Sequence, residues 1–331
     1  MRAFIHFFGG RTTAAACCLT RRRRLVILKS GKTFFDFLQE AIFLKNLKRL
    51  LGALALLTIL AASAWAAPKN VTLVLLRHGE SEWNLEDRFT GWSDVRLTRK
   101  GVKGAFNAGI AMKNAGLTFD VVHTSLLNRA IATAWLAMSA MDCRWLPVEK
   151  FWRLNERCYG DLEGKTRAEV AEAVGKEQVK IWRRSYDVPP PALAYEDPRS
   201  PVHDPRYANL DHRFIPQAES LKDVIAREAS YWNDSLVPTL RAGMNVLVVG
   251  HSTALRALSS WIEPTLSPEE LQKLEIPNST PVVYNLEITD DGFNVVSREV
   301  MKVEDVPLPP PSEAGKSAKN PGEAPAPATG K

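Results

Sequence analysis

Residues 71–79 read Val-Thr-Leu-Val-Leu-Leu-Arg-His-Gly, an uncharged run of β-branched residues and leucine that ends in Arg77, His78 and Gly79. Apolar residues without alternation predict a strand buried on both faces, and such strands belong to parallel sheets covered by helices. Two further runs have this character: Asn245–Gly250 (NVLVVG), followed by His251, and Phe119–His123, followed by Thr124 and Ser125. Between them lie segments with helical periodicity at Thr98–Ala115, Leu126–Met141, Arg167–Arg184, Glu219–Leu240, Ala254–Ile262 and Ser267–Leu274. Strands alternating with helices of this length predict an α/β fold, a three-layer α/β/α sandwich around a mostly parallel sheet. Pro281–Ile288 and Phe293–Glu299, joined by an Asp290-Asp291-Gly292 turn, are expected as edge strands. Val188–Pro216 carries seven prolines and little periodicity, the signature of a long functional loop.

The chain has 331 residues, room for one large domain or two small ones. At 45% apolar and 24% charged it lies near the globular average, which excludes a disordered, collagenous or multi-span membrane protein for most of its length. The net charge of +6 is unevenly placed: residues 1–66 hold eleven Lys or Arg against Asp36 and Glu40, and residues 67–331 are left at −3. A mildly acidic body without a basic, aromatic-interleaved stripe argues against nucleic acid as a partner. Leu50–Trp65 is apolar, follows Lys45, Lys48 and Arg49, and ends in Ala64-Trp65-Ala66. Residues 1–66 are therefore expected to be a leader, with 45–66 a signal peptide or membrane anchor, making the protein exported, periplasmic or membrane-attached; a cytoplasmic location is the alternative. Residues 302–331, with seven prolines from Pro307 onward, are expected to be a disordered tail, leaving 71–301 as the catalytic domain. Cys143 and Cys158, isolated in that body, form neither a disulfide framework nor a metal motif, and no acidic cluster has metal-ligand spacing.

In open α/β sheets ligands bind beyond the carboxyl ends of the strands, where His78 and His251 fall. One histidine there is more often structural; two at equivalent strand ends, each near arginines, point to a shared site. Arg77 makes the neighbourhood electropositive, which keeps His78 neutral and able to attack phosphorus, and Gly79 is expected to let backbone approach a ligand. Arg129, just inside the helix after Ser125, offers a second guanidinium fork for phosphate oxygens. Phosphoryl transfer needs mainly positioning and charge neutralisation, which histidines and arginines supply.

LLRHGESEWN (75–84), FTGWSDVRLTRKG (89–101), RLNERCYGDLEG (153–164), KIWRRSYDVPPP (180–191), VGHSTALRAL (249–258) and IPNSTPVVYNLE (276–287) together resemble the histidine phosphatase superfamily, and specifically its cofactor-dependent phosphoglycerate mutases. The resemblance spans about 71–288. It implies that His78 is the phosphorylated nucleophile, that Glu156 is the general acid/base, and that Arg77, Arg129 and His251 clamp the transferring phosphoryl group with Asn84 beside it. It assigns Thr90, Gly91, Tyr159, Arg167, Arg183 and Arg184 to the rest of a phosphoglycerate, and Ser252 and Thr253 to the second strand-end loop. The implied reaction interconverts 3-phosphoglycerate and 2-phosphoglycerate through phospho-His78, with 2,3-bisphosphoglycerate as primer and no metal. Relatives are often dimers or tetramers, so a homodimer is open.

The sequence departs from that pattern. His251-Ser252-Thr253-Ala254 stands where His-Gly-Asn-Ser is usual, Ser279 where Gly is common, Cys158 where an aromatic or His is frequent, and Arg167 where Lys is expected. The proline-rich end also differs from the family's usual tail, and a poorer cover admits water to a phosphohistidine. Two alternatives therefore stand beside the mutase: a phosphomonoesterase on the same fold, and a catalytically weak surface protein that binds anions in its arginine-lined cleft.

Overall fold

The computed structural model describes residues 38–39, 42–52, 69–290 and 292–308. The chain divides into two compact units, Met1–Ala67 and Pro68–Lys331. In the first, residues 42–52 are helical and exposed, and the remainder of the expected signal segment, 53–66, lies outside the described residues. Among the described residues no helix is long and apolar enough to cross a membrane.

The second unit is built on a six-stranded sheet in the order β3-β2-β4-β1-β5-β6. Its strands are β1 (Lys69–Arg77), β2 (Val121–Thr124), β3 (Val148–Lys150), β4 (Val246–Gly250), β5 (Pro281–Ile288) and β6 (Phe293–Val300). The pairs β1–β4, β2–β4 and β2–β3 are parallel, while β1–β5 and β5–β6 are antiparallel. Of the two strands expected at the edge, only β6 is one; β5 is hydrogen-bonded on both sides, in keeping with the burial of Val282, Val283, Tyr284 and Leu286. β3 went unpredicted because it is three residues long and two of them, Glu149 and Lys150, are exposed.

The alternation of β1 sorts its side chains onto two cores. Leu73 and Leu75 pack with α6 (Leu221–Tyr231), α7 (Val237–Arg241) and α8 (Ser252–Ile262) through Tyr231, Leu240, Leu255 and Leu258. Val74 and Leu76 pack on the opposite face with α2 (Arg99–Asn114) and α3 (Asn128–Ala140) through Met112, Ala134 and Met138. This is the three-layer sandwich that the continuous apolar runs imply.

The expected helix 167–184 is two helices, α4 (Arg167–Val174) and α5 (Lys176–Arg184), because Gly175 sits between them at φ 87°. The long helix expected at 219–240 starts after the Ser220 cap and is interrupted by a π-turn at Trp232–Leu236. A one-turn helix α1 (Glu82–Leu85) and the short α9 (Pro268–Lys273) complete the set. The proline-rich stretch 188–216 forms short 3-10 turns and buries Tyr207 and Ile215 against Trp92 and Cys158. Of the tail, residues 302–308 are described, with Asp305 pairing with Lys103 of α2 at 2.6 Å; 309–331 lie outside the described residues.

Candidate active site

β1 and β4 lie side by side in register, Arg77 opposite Gly250, so the residues after them are neighbours. The His78 amide donates to the Gly250 carbonyl at 2.9 Å, and the rings of His78 and His251 stand 5.1 Å apart, tilted by 57°. His78 Nδ1 is 2.7 Å from the Gly79 carbonyl. A carbonyl can only accept, so the ring proton sits on Nδ1 and the lone pair on Nε2. Burial, then Arg129 and Arg77, hold the His78 pKa well below its ordinary value, leaving a neutral nucleophile. His251 is tied by the other nitrogen: Nε2 lies 2.8 Å from Ser125 Oγ, and Nδ1 has no partner among the described residues. Burial, Arg129 and His78 also lower its pKa strongly.

Gly79 plays a different part from the one expected. It is absent from the cavity lining, and a Cβ there would stand 2.3 Å from the Gly101 carbonyl, so its bareness lets α2 close on the strand end.

In front of His78 opens a cavity of about 190 Å³ into which seven arginines converge, Arg77, Arg88, Arg129, Arg167, Arg183, Arg184 and Arg256, while Glu156 is the carboxylate in its wall. Several guanidiniums are anchored so that part of each fork remains: Arg77 Nη1 donates to Ile276 O at 3.0 Å, Arg256 Nε to Leu274 O at 3.1 Å, and Arg167 pairs with Asp87. Arg129 donates through Nη1 to Ser93 O at 2.9 Å and through Nη2 to Gly91 O at 2.7 Å, so it also fixes the 90–93 loop. Burial brings its pKa down to about 10, which leaves it charged at neutral pH. The buried Nε groups of Arg77, Arg129 and Arg167 have no acceptor among the described residues. Unmet donors in a cationic pocket are what an anion satisfies.

Glu156 enters the cavity from the segment after the 3-10 turn Trp152–Leu154. Its Oε1 accepts from the amides of Arg157 (2.8 Å) and Thr253 (3.0 Å), the latter in the first turn of α8. Below the loop, half-buried Glu163 accepts from the Trp92 and Ser93 amides at 3.0 Å and the Tyr159 amide at 3.1 Å. Gly91 sits above it at φ 52°, where a Cβ would fall 1.9 Å from Glu163 Oε1.

The histidine phosphatase superfamily (branch 1) profile matches residues 73–300. The chain belongs to this superfamily. Similar solved structures include a phosphoglycerate mutase from Bacillus anthracis str. Sterne (26% identity, TM-score 0.50, covering 70% of this chain and 93% of that one). Others are the mycobacterial glucosyl-3-phosphoglycerate phosphatase (21%, TM-score 0.52, 72% and 100%) and the Shigella flexneri alpha-ribazole phosphatase (20%, TM-score 0.51, 72% and 100%). At these identities the two phosphatases establish likeness of fold.

Against the superfamily pattern, the cavity wall brings together Arg77, His78, Asn84, Thr90, Gly91, Arg129, Glu156, Tyr159, Arg167, Arg183, Arg184, Ser252 and Thr253. His251 is the exception: fully buried, it is absent from the wall, with its ring 5.1 Å from that of His78. Ser279 adopts φ 55°, the conformation for which Gly is the ordinary choice, and its amide donates to Arg77 O at 3.0 Å. Sequence reasoning missed Arg88, Phe89 and Arg256. Arg256 follows Ser252 by four residues, one helical turn on the same face, and that spacing was a readable signal. It also missed Asn278, whose amide reaches the His78 carbonyl at 2.8 Å.

Proposed function

We propose that the protein interconverts 3-phosphoglycerate and 2-phosphoglycerate through phospho-His78. The observation that carries this reading is the convergence of seven arginines around a neutral histidine and one carboxylate, more positive charge than a single phosphate needs and suited to a substrate that adds a carboxylate. His78 Nε2 attacks phosphorus in line with the ester oxygen; the N–P bond forms as the P–O bond breaks, and Glu156 delivers its proton to the departing oxygen. Arg77 and Arg129 face the negative charge on the equatorial oxygens, and the unpartnered His251 Nδ1 is a further donor there once the Ser125 hydroxyl donates to its Nε2. In reverse, Glu156 takes the proton of the other substrate hydroxyl as that oxygen attacks phospho-His78. Arg167, Arg183 and Arg184 hold the carboxylate end. The same cations and unmet guanidinium N–H groups fit 2,3-bisphosphoglycerate, which when bound supplies the phosphoryl group that first charges His78.

The test is incubation of residues 67–331 with 3-phosphoglycerate, with and without 2,3-bisphosphoglycerate, following 2-phosphoglycerate and free phosphate together. Primer-dependent isomerisation is expected, and its absence overturns the reading. A second reading, phosphomonoesterase activity, is favoured by the Ser252 and Thr253 hydroxyls in the cavity wall, groups able to hold a water beside phospho-His78. Phosphate release without isomerisation decides for it. Export through residues 45–66 is part of the proposal, and N-terminal sequencing of the mature protein tests it.

A further inference from the structure

The segment that carries Glu156 has no strand neighbour, yet its backbone runs through the interior, where every carbonyl and amide needs a partner. Turn hydrogen bonds hold the Leu154 and Asn155 amides, and the Glu156 carboxylate holds that of Arg157; the carbonyls of 153, 155 and 156 and both backbone groups of Cys158 depend on one buried ion pair and its backbone. Arg227 of α6 and Glu219 just before it are 6% and 3% exposed and paired at 2.6 Å. Arg227 Nη1 donates to Arg153 O at 2.6 Å, and Nη2 to Asn155 O at 3.1 Å and Glu156 O at 3.4 Å. Glu219 Oε2 accepts from the Cys158 amide at 2.9 Å, and the Glu219 amide donates back to Cys158 O at 2.9 Å. One guanidinium and one carboxylate thus grip the chain on both sides of Glu156, from 153 to 158. The Arg227 guanidinium also faces the Trp92 ring at 5.7 Å, next to the substrate loop. The neighbouring Glu228 is fully buried with neither oxygen hydrogen-bonded among the described residues, and burial raises its pKa well above the ordinary value.

We infer that the Arg227–Glu219 pair is a positioning device for proton transfer, setting the backbone from which Glu156 reaches the ester oxygen. This rests on the reading of Glu156 as the proton donor. A surface ion pair would contribute little, but charged hydrogen bonds to four backbone groups in a dry interior fix a geometry that neutral packing does not. Lys at 227 keeps the charge and loses the fork, so it cannot hold Arg153 O, Asn155 O and Glu219 together.

The experiment compares esters that differ in their need for a proton. Leaving p-nitrophenolate departs unprotonated, whereas the alkoxide of 3-phosphoglycerate requires Glu156. Arg227→Lys is expected to lower kcat on 3-phosphoglycerate about 10–100-fold with KM within about threefold, the size of loss that a displaced catalytic group produces, while single-turnover release of p-nitrophenolate, which reports phosphorylation of His78 alone, loses at most about threefold. An equal loss on both esters, a loss confined to KM, or no loss overturns the inference. Arg227→Met with Glu219→Leu removes both buried charges at once and leaves neither unpaired, so it guards against a single variant that fails to fold; the same discrimination between esters is expected of it. If the wild type cleaves p-nitrophenyl phosphate and ignores 3-phosphoglycerate, the substrate reading fails, and glycerol 2-phosphate serves as the alkyl ester on which the same outcomes decide the role of the pair. A wild type that cleaves no ester overturns both.

Discussion

His78 and His251 stand 5.1 Å apart at the ends of adjacent parallel strands and are tied by opposite ring nitrogens, His78 by Nδ1 to the Gly79 carbonyl and His251 by Nε2 to Ser125 Oγ. The nitrogens left over are Nε2 of one ring and Nδ1 of the other. On the proposed mechanism the first offers its lone pair to phosphorus, and the second, with the Ser125 hydroxyl as donor to its ring, offers a proton to a phosphoryl oxygen. Two neutral imidazoles would then take unlike roles.

Keeping histidines neutral in the interior has a cost at low pH. His78, His251 and His123 all have pKa values lowered by burial, His123 to about 4. Below about pH 6.5 the unfolded chain protonates them while the folded chain does not, so stability is full above that pH and falls as pH falls. His123, hydrogen-bonded to Tyr231 Oη at 2.9 Å and outside the cavity, isolates one contribution. His123→Phe is expected to flatten the slope of unfolding free energy between pH 6 and pH 5 by about 1.2 kcal/mol per pH unit, read by urea denaturation at both pH values. An unchanged slope refutes the assignment.

Glu156→Gln keeps an oxygen for the amides of Arg157 and Thr253, so folding is expected to be unaffected, while proton delivery to the leaving oxygen is lost. The kcat on 3-phosphoglycerate should drop about 10²–10⁴-fold with His78 still phosphorylated by activated donors, as steady-state assays and acid-labile phosphate on the protein would record.

Gly91→Ala places a methyl group on the Glu163 carboxylate in a backbone conformation that L-residues avoid. Displacing Glu163 frees the Trp92 and Ser93 amides that it holds. A destabilisation of about 2 kcal/mol or more, together with a raised KM for substrate, is expected, measurable by thermal unfolding and initial rates. A rise in KM without loss of stability would mean that the loop moves freely on its post.

The framework of this site was legible where burial leaves a one-dimensional trace. Leu73–Leu76 of β1 and Val246–Val249 of β4 are sheathed on both faces and apolar without interruption, and the residues following these strands had to meet. Features set by side chains reaching across the fold left no such trace. Arg227 lies more than twenty residues from any motif, and only the packing of α6 shows that its fork meets the backbone around Glu156. The break at Gly175 and the π-turn at Trp232–Leu236, which accompanies the stacking of Trp232 on Trp261 at 6.1 Å, are likewise tertiary choices that a helical period does not announce. Gly79 was read as making room for a ligand, but the neighbour that needs the room is Gly101.

Arg184 ends α5 and lines the cavity without a hydrogen bond to protein among the described residues, so its charge is free for substrate. Arg184→Ala is expected to raise KM for 3-phosphoglycerate about tenfold or more, the loss of one charge-assisted hydrogen bond, and to leave KM for p-nitrophenyl phosphate within about twofold. Equal effects on the two esters would place Arg184 on the phosphate rather than the carboxylate.

Arg129 is held below the usual arginine range, at about 10, chiefly by burial, with Glu156 and Asp94 pulling the other way. A lysine in the same place begins from a lower intrinsic value, near 10.4, and the same burial lowers it further. Arg129→Lys should therefore lose its charge at a lower pH than the wild type, which keeps its own until nearer 10. The lysine also cannot donate at once to Ser93 O and Gly91 O, so the loop loosens at every pH. The two effects separate in a pH series: the loosened loop raises KM uniformly, and lost charge adds an alkaline fall in kcat/KM that the wild type lacks. A variant whose profile runs parallel to wild type up to pH 9 would show that the charge of residue 129 is not felt by the transferring phosphoryl group, and would reduce Arg129 to a staple for the loop.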